Sequence, residues 1–358
     1  MHNKLFIPGP VDVRPDVLEA MSGPMMSHRG KPATALQKGI SDKLKKVFQT
    51  ENVIVLSTTS GSGLMESAVR CCTAKKAAIF SVGSFGDRWY KMATANGVPA
   101  DKFRAEDGQS TLPEQVDEVL KTGEYDLITV THNETSSGVM TPVGEIGKIV
   151  AKYPDVVFCV DTVSSMGGVD IKVDAWGIDF CITSTQKCLG LPPGLAIASV
   201  SQKAYDRAKT VKNRGLYLDI VEIYDKVVEK DAHQYPSTPS LSHMYALEYQ
   251  LDYIMNKEGL ENRWARHAEL AQIARDWATK HFKLFSNPAY LSNTVTCVEN
   301  TKGIDAGALG KALEAKGYIF SNGYGSLKDK TFRIAHMADM DKETLVTYLK
   351  TIEEILGL

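Results

Sequence analysis

Short β-branched runs alternate with helical patterns through the first two hundred residues. "NVIVLST" precedes the helix-like "SGLMESAVRCC", "KAAIFSV" precedes "FGDRWYKMATAN", and "YDLITVTH" precedes "VGEIGKIVAKY". "VVFCVDT", "DFCITST" and "GLAIASV" complete the series. Strands interleaved with helices predict a mainly parallel sheet covered on both faces. The short, turn-rich gap before "GLAIASV" suits an antiparallel return. From about Leu260 the texture changes. Trp264, His267, Leu270, Ala274 and Trp277 recur at the period of an amphipathic helix. "TVTCVEN", the helix-like "DAGALGKALEAKGY", "TFRIAHM" and a last helix with Leu345, Tyr348, Leu349, Ile352 and Leu356 inward follow. That is an α+β pattern. It predicts a smaller C-terminal domain, with the boundary near residues 250–260.

Composition narrows the class. A chain of 358 residues is long for one core, and 43% hydrophobic with 23% charged residues is an ordinary globular balance. A formal net charge of −2 gives no electrostatic reason to expect nucleic acid or an acidic membrane as partner. No apolar run approaches the ~20 residues of a membrane span. Prolines interrupt "MHNKLFIPGPVDVRP" before any signal-peptide core can form, and "EEILGL" carries no lipidation or peroxisomal signal. The six cysteines form no CxxC and have no histidine spacing that suggests a metal, so a reduced, cytoplasmic protein is expected.

The polar residues fall at strand ends, where open α/β sheets bind ligands. "TSGSGLMES" follows the first strand, "GSFGDR" the second, and Asn133, Glu134 and Thr135 the third. Asp161 ends "VVFCVD", and Lys187 follows "FCITSTQ". Each has an ordinary explanation as turn chemistry; together they favour one crevice. The loop at Ser60–Leu64 reads either as an anion cradle at a helix start or as a plain helix start with glycines for a tight turn. It fits neither GxGxxG nor GxxxxGK[ST], which removes support for a nicotinamide dehydrogenase. A strand-end lysine is ordinarily solvated, and an isolated buried ammonium is costly. A lysine, a carboxylate and a phosphate cradle are what pyridoxal phosphate requires, and Phe85 offers a ring to lie on the pyridine. Lys187 is then consumed as an imine rather than left as a bare charge.

In this order, "TSGSGLMESAV", "HNETSSGVM", "VDTVSSMGG" and "STQKCLGLPPG" resemble the class V aminotransferases of fold type I. "FIPGPVDVRPDVLEAM" looks like the alanine–glyoxylate/serine–pyruvate aminotransferase branch. The resemblance implies a large domain over 21–255 with a mainly parallel, seven-stranded type of sheet. It adds a small domain over 256–358 and an N-terminal arm, 1–20, whose Pro8 and Gly9 lie over the active site. It implies pyridoxal 5'-phosphate on Lys187, with Gln186 at the phosphate, Asp161 at the pyridine nitrogen and Val163 under the ring. Ser62, Gly63 and Leu64 resemble the phosphate turn, and Thr135 the hydroxyl near the phenolic oxygen. Phe85 replaces the tryptophan common in this branch, so the indole N–H is lost. Tyr235 and Thr238 resemble a pair reaching the neighbouring subunit's phosphate, which implies a homodimer with interfacial sites. Arg333 resembles the arginine that grips the substrate carboxylate, a task for which its fork is suited; a solvent-facing strand arginine is the ordinary alternative.

The expected reaction is ping-pong transfer from alanine or serine to glyoxylate or pyruvate. His28 and Arg29 in "MSHRG" keep a rival open, because they resemble a pair that phosphoserine aminotransferases use on a distal anion. A dicarboxylate donor is the related alternative. A structural role for Arg29 is the other reading. A cysteine desulfurase is disfavoured because no cysteine falls near residues 315–330. A non-catalytic oligomer is disfavoured by the presence of both Lys187 and Asp161.

Overall fold

The computed structural model describes residues 2–358. Its main sheet has seven strands, ordered Ala100–Arg104, Ala77–Ser81, Leu127–Thr131, Val157–Asp161, Phe180–Ser184, Ala196–Val200, Val53–Ser57. All neighbours are parallel except Ala196–Val200, which runs antiparallel to both of its partners. The short connection from Ser184 to Ala196 forces this reversal, since a parallel partner needs a crossover of a dozen residues or more. Five strands are buried along their whole length, as strands covered on both faces must be. Alternate side chains feed two cores, one holding Ile54, Phe80 and Ile128, the other Val55, Ile79 and Leu127.

The edge strand Ala100–Arg104 escapes the hydrophobic pattern. It carries Asp101, Lys102 and Arg104, and charges of this kind protect an open edge from pairing with another chain.

The C-terminal region builds a second, antiparallel sheet of Lys283–Leu284, Val295–Glu299, Thr331–Ala335 and Ser321–Asn322. Helices Leu260–His281 and Lys342–Leu356 contribute Leu270, Trp277, Leu345 and Tyr348 to its core. The long helix presents His267, Leu270, Ala274 and Trp277 inward as its periodicity predicts, but Trp264 is only half-buried. Arg263 takes the fully buried place beside it. A π-helical turn, Tyr253–Glu258, precedes this helix, and Gly259 at φ +82° redirects the chain into it.

The N-terminus belongs structurally to this second body. Lys4–Leu5 pairs in parallel with Tyr318–Ile319, and Phe6 stacks on Tyr348 at 3.6 Å between ring centroids. Residues 7–9 then cross toward Lys187. Among the described residues no helix is long and apolar enough to cross a membrane.

Candidate active site

The carboxyl ends of the parallel strands meet the small sheet in a cleft of about 370 Å³, lined by Pro8, Gly9, Phe85, Thr135, Lys187, Tyr324 and Arg333 among others. Lys187 is 8% exposed, and its ammonium donates to the Pro8 carbonyl of the arm. Burial lowers its pKa to about 8, and Arg333 adds to the shift. The amine is thereby brought toward its nucleophilic, neutral form. Gly9 makes this approach possible. It has φ +95°, and a Cβ there would lie 2.5 Å from Lys187 Cδ and 2.7 Å from Nζ.

Asp161 sits at the floor. Its Oδ1 accepts from the Val163 N–H at 2.8 Å, and burial raises its pKa to about 6 against that hydrogen bond. A cation placed against it would reverse the shift. Val163 packs so closely on Gly61 that a Cβ at Gly61 would approach its Cγ2 to 2.7 Å.

The helix Gly61–Cys72 starts at Ser60 without a side-chain cap. Ser62 Oγ accepts from Arg88 at 2.9 Å, while Gly63 avoids a collision with Thr59. Ser184 Oγ, 3.4 Å from where a Cβ on Gly61 would lie, is buried without a hydrogen-bond partner, as is Gln186 Oε1 two residues further on. Free helix N–H groups, an adjacent arginine and unsatisfied polar atoms suit an anion such as a phosphate. With Asp161 below and Lys187 beside it, the site fits the phosphorylated pyridine aldehyde expected from the sequence.

On the opposite wall, Arg333 donates from Nε to the Asn322 carbonyl at 3.1 Å and from Nη1 to the Thr135 carbonyl at 3.2 Å. Thr135 Oγ1 donates to Ser164 Oγ at 2.9 Å. Phe85 lies in the first turn of helix Ser84–Ala95, with the Arg88 guanidinium 4.7 Å from its ring centroid.

Residues 17–338 match the Aminotransferase class-V family. The chain belongs to the class-V aminotransferases. This aminotransferase is 38% identical over 355 residues to an uncharacterised aminotransferase of Methanocaldococcus jannaschii, covering 98% of this chain and 91% of that protein. It is 33% identical to the serine–glyoxylate aminotransferase of Methylorubrum extorquens, over 96% of this chain and 88% of that one. Among solved structures, the alanine–glyoxylate aminotransferase of a Nostoc species superposes with a TM-score of 0.92 at 27% identity, covering 99% of this chain and 96% of that one. The architecture is that of the fold type I aminotransferases, as the sequence resemblance implies.

Some expected site residues of this aminotransferase stand apart from the cleft. Arg29 donates to the carbonyls of Tyr235 at 2.6 Å and Pro236 at 2.9 Å, and to Gln234 Oε1 at 3.3 Å. Neither it nor the half-buried His28 lines the cleft of its own chain. Arg29 therefore fastens the 234–236 segment. Tyr235 is, with Thr238, the residue that the resemblance implies at a neighbouring subunit's phosphate. Within its own chain it is 3% exposed, and its hydroxyl lies 3.4 Å from Ser57 Oγ. Thr238, by contrast, is exposed.

Two residues that the motifs did not single out for a role organise the site. Glu134 is fully buried and accepts from the N–H groups of Phe85 and Gly86, each at 3.1 Å, and from Ser136. It caps the helix that carries Phe85, and burial raises its pKa against those bonds. Arg263 is 0% exposed and bonds Glu258 at 2.6 Å, Asp339 at 2.7 Å and the Cys188 carbonyl at 2.6 Å. Gln250 holds the next carbonyl, Leu189, at 2.9 Å. The turn following Lys187 is thus clamped from two helices. The signal for Arg263 was its place on the inward stripe of an amphipathic helix, where an arginine requires partners.

Proposed function

We propose that the protein is a pyridoxal-phosphate aminotransferase that moves the amino group of alanine or serine to glyoxylate or pyruvate in two half-reactions. The observation that carries this reading is the enclosed Lys187 amine, depressed to about 8 in pKa and facing a cleft that also contains Arg333. Bound pyridoxal phosphate would supply an aldehyde for amines and a ring that accepts the electron pair left at the substrate Cα. Arg333 binds the substrate α-carboxylate through its fork. Lys187 would hold the cofactor through its amine and, when that amine is free, would take the Cα proton and return it. Asp161 would hold the ring nitrogen by charge and hydrogen bonding. The arm at Pro8–Gly9 covers Lys187 and restricts water. The 2-oxo product then leaves, and the acceptor binds Arg333 in its place.

The small-substrate reading is supported by the two named relatives, whose donors are serine and alanine and whose shared acceptor is glyoxylate. The engagement of Arg29 with residues 234–236 favours it over a phosphoserine or dicarboxylate donor. A cytoplasmic homodimer completes the proposal. The exposure of Leu216 and Tyr217 supports an interface, and six free, buried cysteines suit a reducing compartment. Borohydride reduction of the holoenzyme, followed by peptide mapping, tests the chemistry, and a donor panel against glyoxylate, pyruvate and 2-oxoglutarate tests the substrates. A cofactor label on Lys187 with turnover of alanine or serine is expected. Labelling of another lysine, or activity confined to phosphoserine or glutamate, overturns the corresponding part.

A further inference from the structure

Tyr324 stands at the mouth of the cleft, and the transfer chemistry assigns it no task. It lies in the loop from Asn322 to Lys330 that joins the last two strands of the small sheet. The Asn322 side chain shapes this loop: its Nδ2 donates to Asp329 Oδ1 at 2.7 Å, and its Oδ1 accepts from the N–H groups of Gly323 at 2.6 Å and Asp329 at 3.0 Å. Glycines flank the tyrosine for physical reasons. A Cβ on Gly323 would run into the Leu327 carbonyl, and Gly325 has φ +60°. The backbone therefore delivers the Tyr324 ring to one place.

Two contacts of different kind hold the ring there. It stacks on Phe85 with centroids 5.7 Å apart and planes 22° apart. The Arg333 guanidinium carbon lies 5.4 Å from its centroid. Cation–π attraction and offset stacking favour the same pose. Arg333 spends Nε and Nη1 on backbone carbonyls, and its other N–H groups have no acceptor among the described residues. A carboxylate bound to those groups brings the rest of the substrate against the Phe85–Tyr324 wall.

We infer that Tyr324 sets the size and charge of the amino donor, admitting short, uncharged side chains and rejecting long or anionic ones. This rests on the aminotransferase reading above. Size discrimination follows from the position of the ring: added methylene groups meet an aromatic face already in contact with Phe85. Charge discrimination follows from the electrostatics. Lys187 and Arg333 are the cations lining the cleft, and each has a task. A second carboxylate would meet an aromatic wall whose rings already hold the Arg88 and Arg333 guanidinium groups, with no free cation among the described residues lining the cleft to pair with it.

The test compares kcat/KM for alanine, 2-aminobutyrate, norvaline and aspartate, with glyoxylate as acceptor, in the wild type, Tyr324→Ala and Tyr324→Phe. Tyr324→Ala is expected to raise the norvaline-to-alanine ratio about tenfold or more, the scale of one or two methylene groups in an apolar pocket. Tyr324→Phe keeps the ring and is expected to keep the wild-type ratio. An unchanged norvaline-to-alanine ratio in a folded Tyr324→Ala protein, or wild-type kcat/KM for aspartate equal to that for alanine, overturns the inference; if Tyr324→Ala does not fold, Tyr324→Leu reads the same ratio. Calorimetric titration of the holoenzymes with propionate and hexanoate reads the wall without turnover. Equal relative affinities in wild type and variant also overturn it. Failure of the wild type to turn over any donor, with a normal preference for propionate over hexanoate that the variant loses, refutes the transfer reading and leaves the wall intact.

Discussion

Replacing Gly9 by alanine places a methyl group against Lys187, the lysine on which the proposed chemistry depends. The added Cβ would stand 2.5 Å from Lys187 Cδ, 2.8 Å from Cε and 2.7 Å from Nζ, against an ordinary contact of about 3.5–4 Å. Either the arm or the lysine must yield by roughly an ångström. The lysine is the softer partner, because the arm is anchored by the Lys4–Leu5 pairing and the buried Phe6. A misplacement of that size costs about 100-fold in rate where reacting groups must be aligned. Backbone strain adds its own effect, since φ +95° suits glycine and costs an alanine about 1–3 kcal/mol in stability. Gly97→Ala separates the two. Gly97 has φ +67° with nothing within 4 Å of an added Cβ, so that variant carries strain without collision. The assay is kcat/KM for alanine and glyoxylate, with thermal unfolding in parallel. Both variants should melt lower, and only Gly9→Ala should lose turnover. Equal turnover in the two variants would refute the close approach of Gly9 to Lys187.

Asp161→Asn should cut turnover by orders of magnitude while preserving the fold, because on the proposed reading Asp161 holds the ring-nitrogen proton and an amide provides no charge to do so. The same variant carries a linkage signature in cofactor-free protein. With a folded pKa near 6 against 3.8 for the free side chain, the folded state holds the extra proton between those values, so stability present below pH 4 is lost as pH rises through 6. The change amounts to about 3 kcal/mol at most, and denaturant titrations at pH 4 and pH 7 should find that slope flattened in the variant; identical slopes count against the burial of a charged Asp161. Arg29→Ala should lower stability by about 1 kcal/mol, the guanidinium being exposed, and reduce kcat/KM for alanine, serine and phosphoserine alike. A loss confined to phosphoserine would return Arg29 to substrate recognition.

What could be read from the chain follows from how far each interaction reaches along it. The buried strands are legible because burial on both faces leaves continuous apolar runs, and the reversed strand because its connection is short. Lys187 and Asp161 stand out because each is a charge at the end of such a run. Ala100–Arg104 was invisible, since an edge strand is selected for charge rather than apolarity. Trp264 and Arg263 show the limit of helical periodicity: an arginine enters the core when Glu258 and Asp339 meet it, and Asp339 is remote in sequence.

The pairing of Lys4–Leu5 with Tyr318–Ile319 joins segments far apart along the chain. All seven strands of the main sheet lie between them, as do Lys187, Asp161 and the Gln250 and Arg263 side chains that clamp the turn after Lys187. The arm has no edge to pair with until residues 318–319 follow, and Arg333 comes later still. Closing so long a loop is made affordable by the domain folded between its ends, which shortens the entropic gap that remains. Until that edge forms, nothing fixes Pro8 over the Lys187 amine. A chain lacking residues 318–335 would leave that amine accessible with no Arg333 opposite it, so an enclosed lysine reports that the arm and the small sheet have found each other.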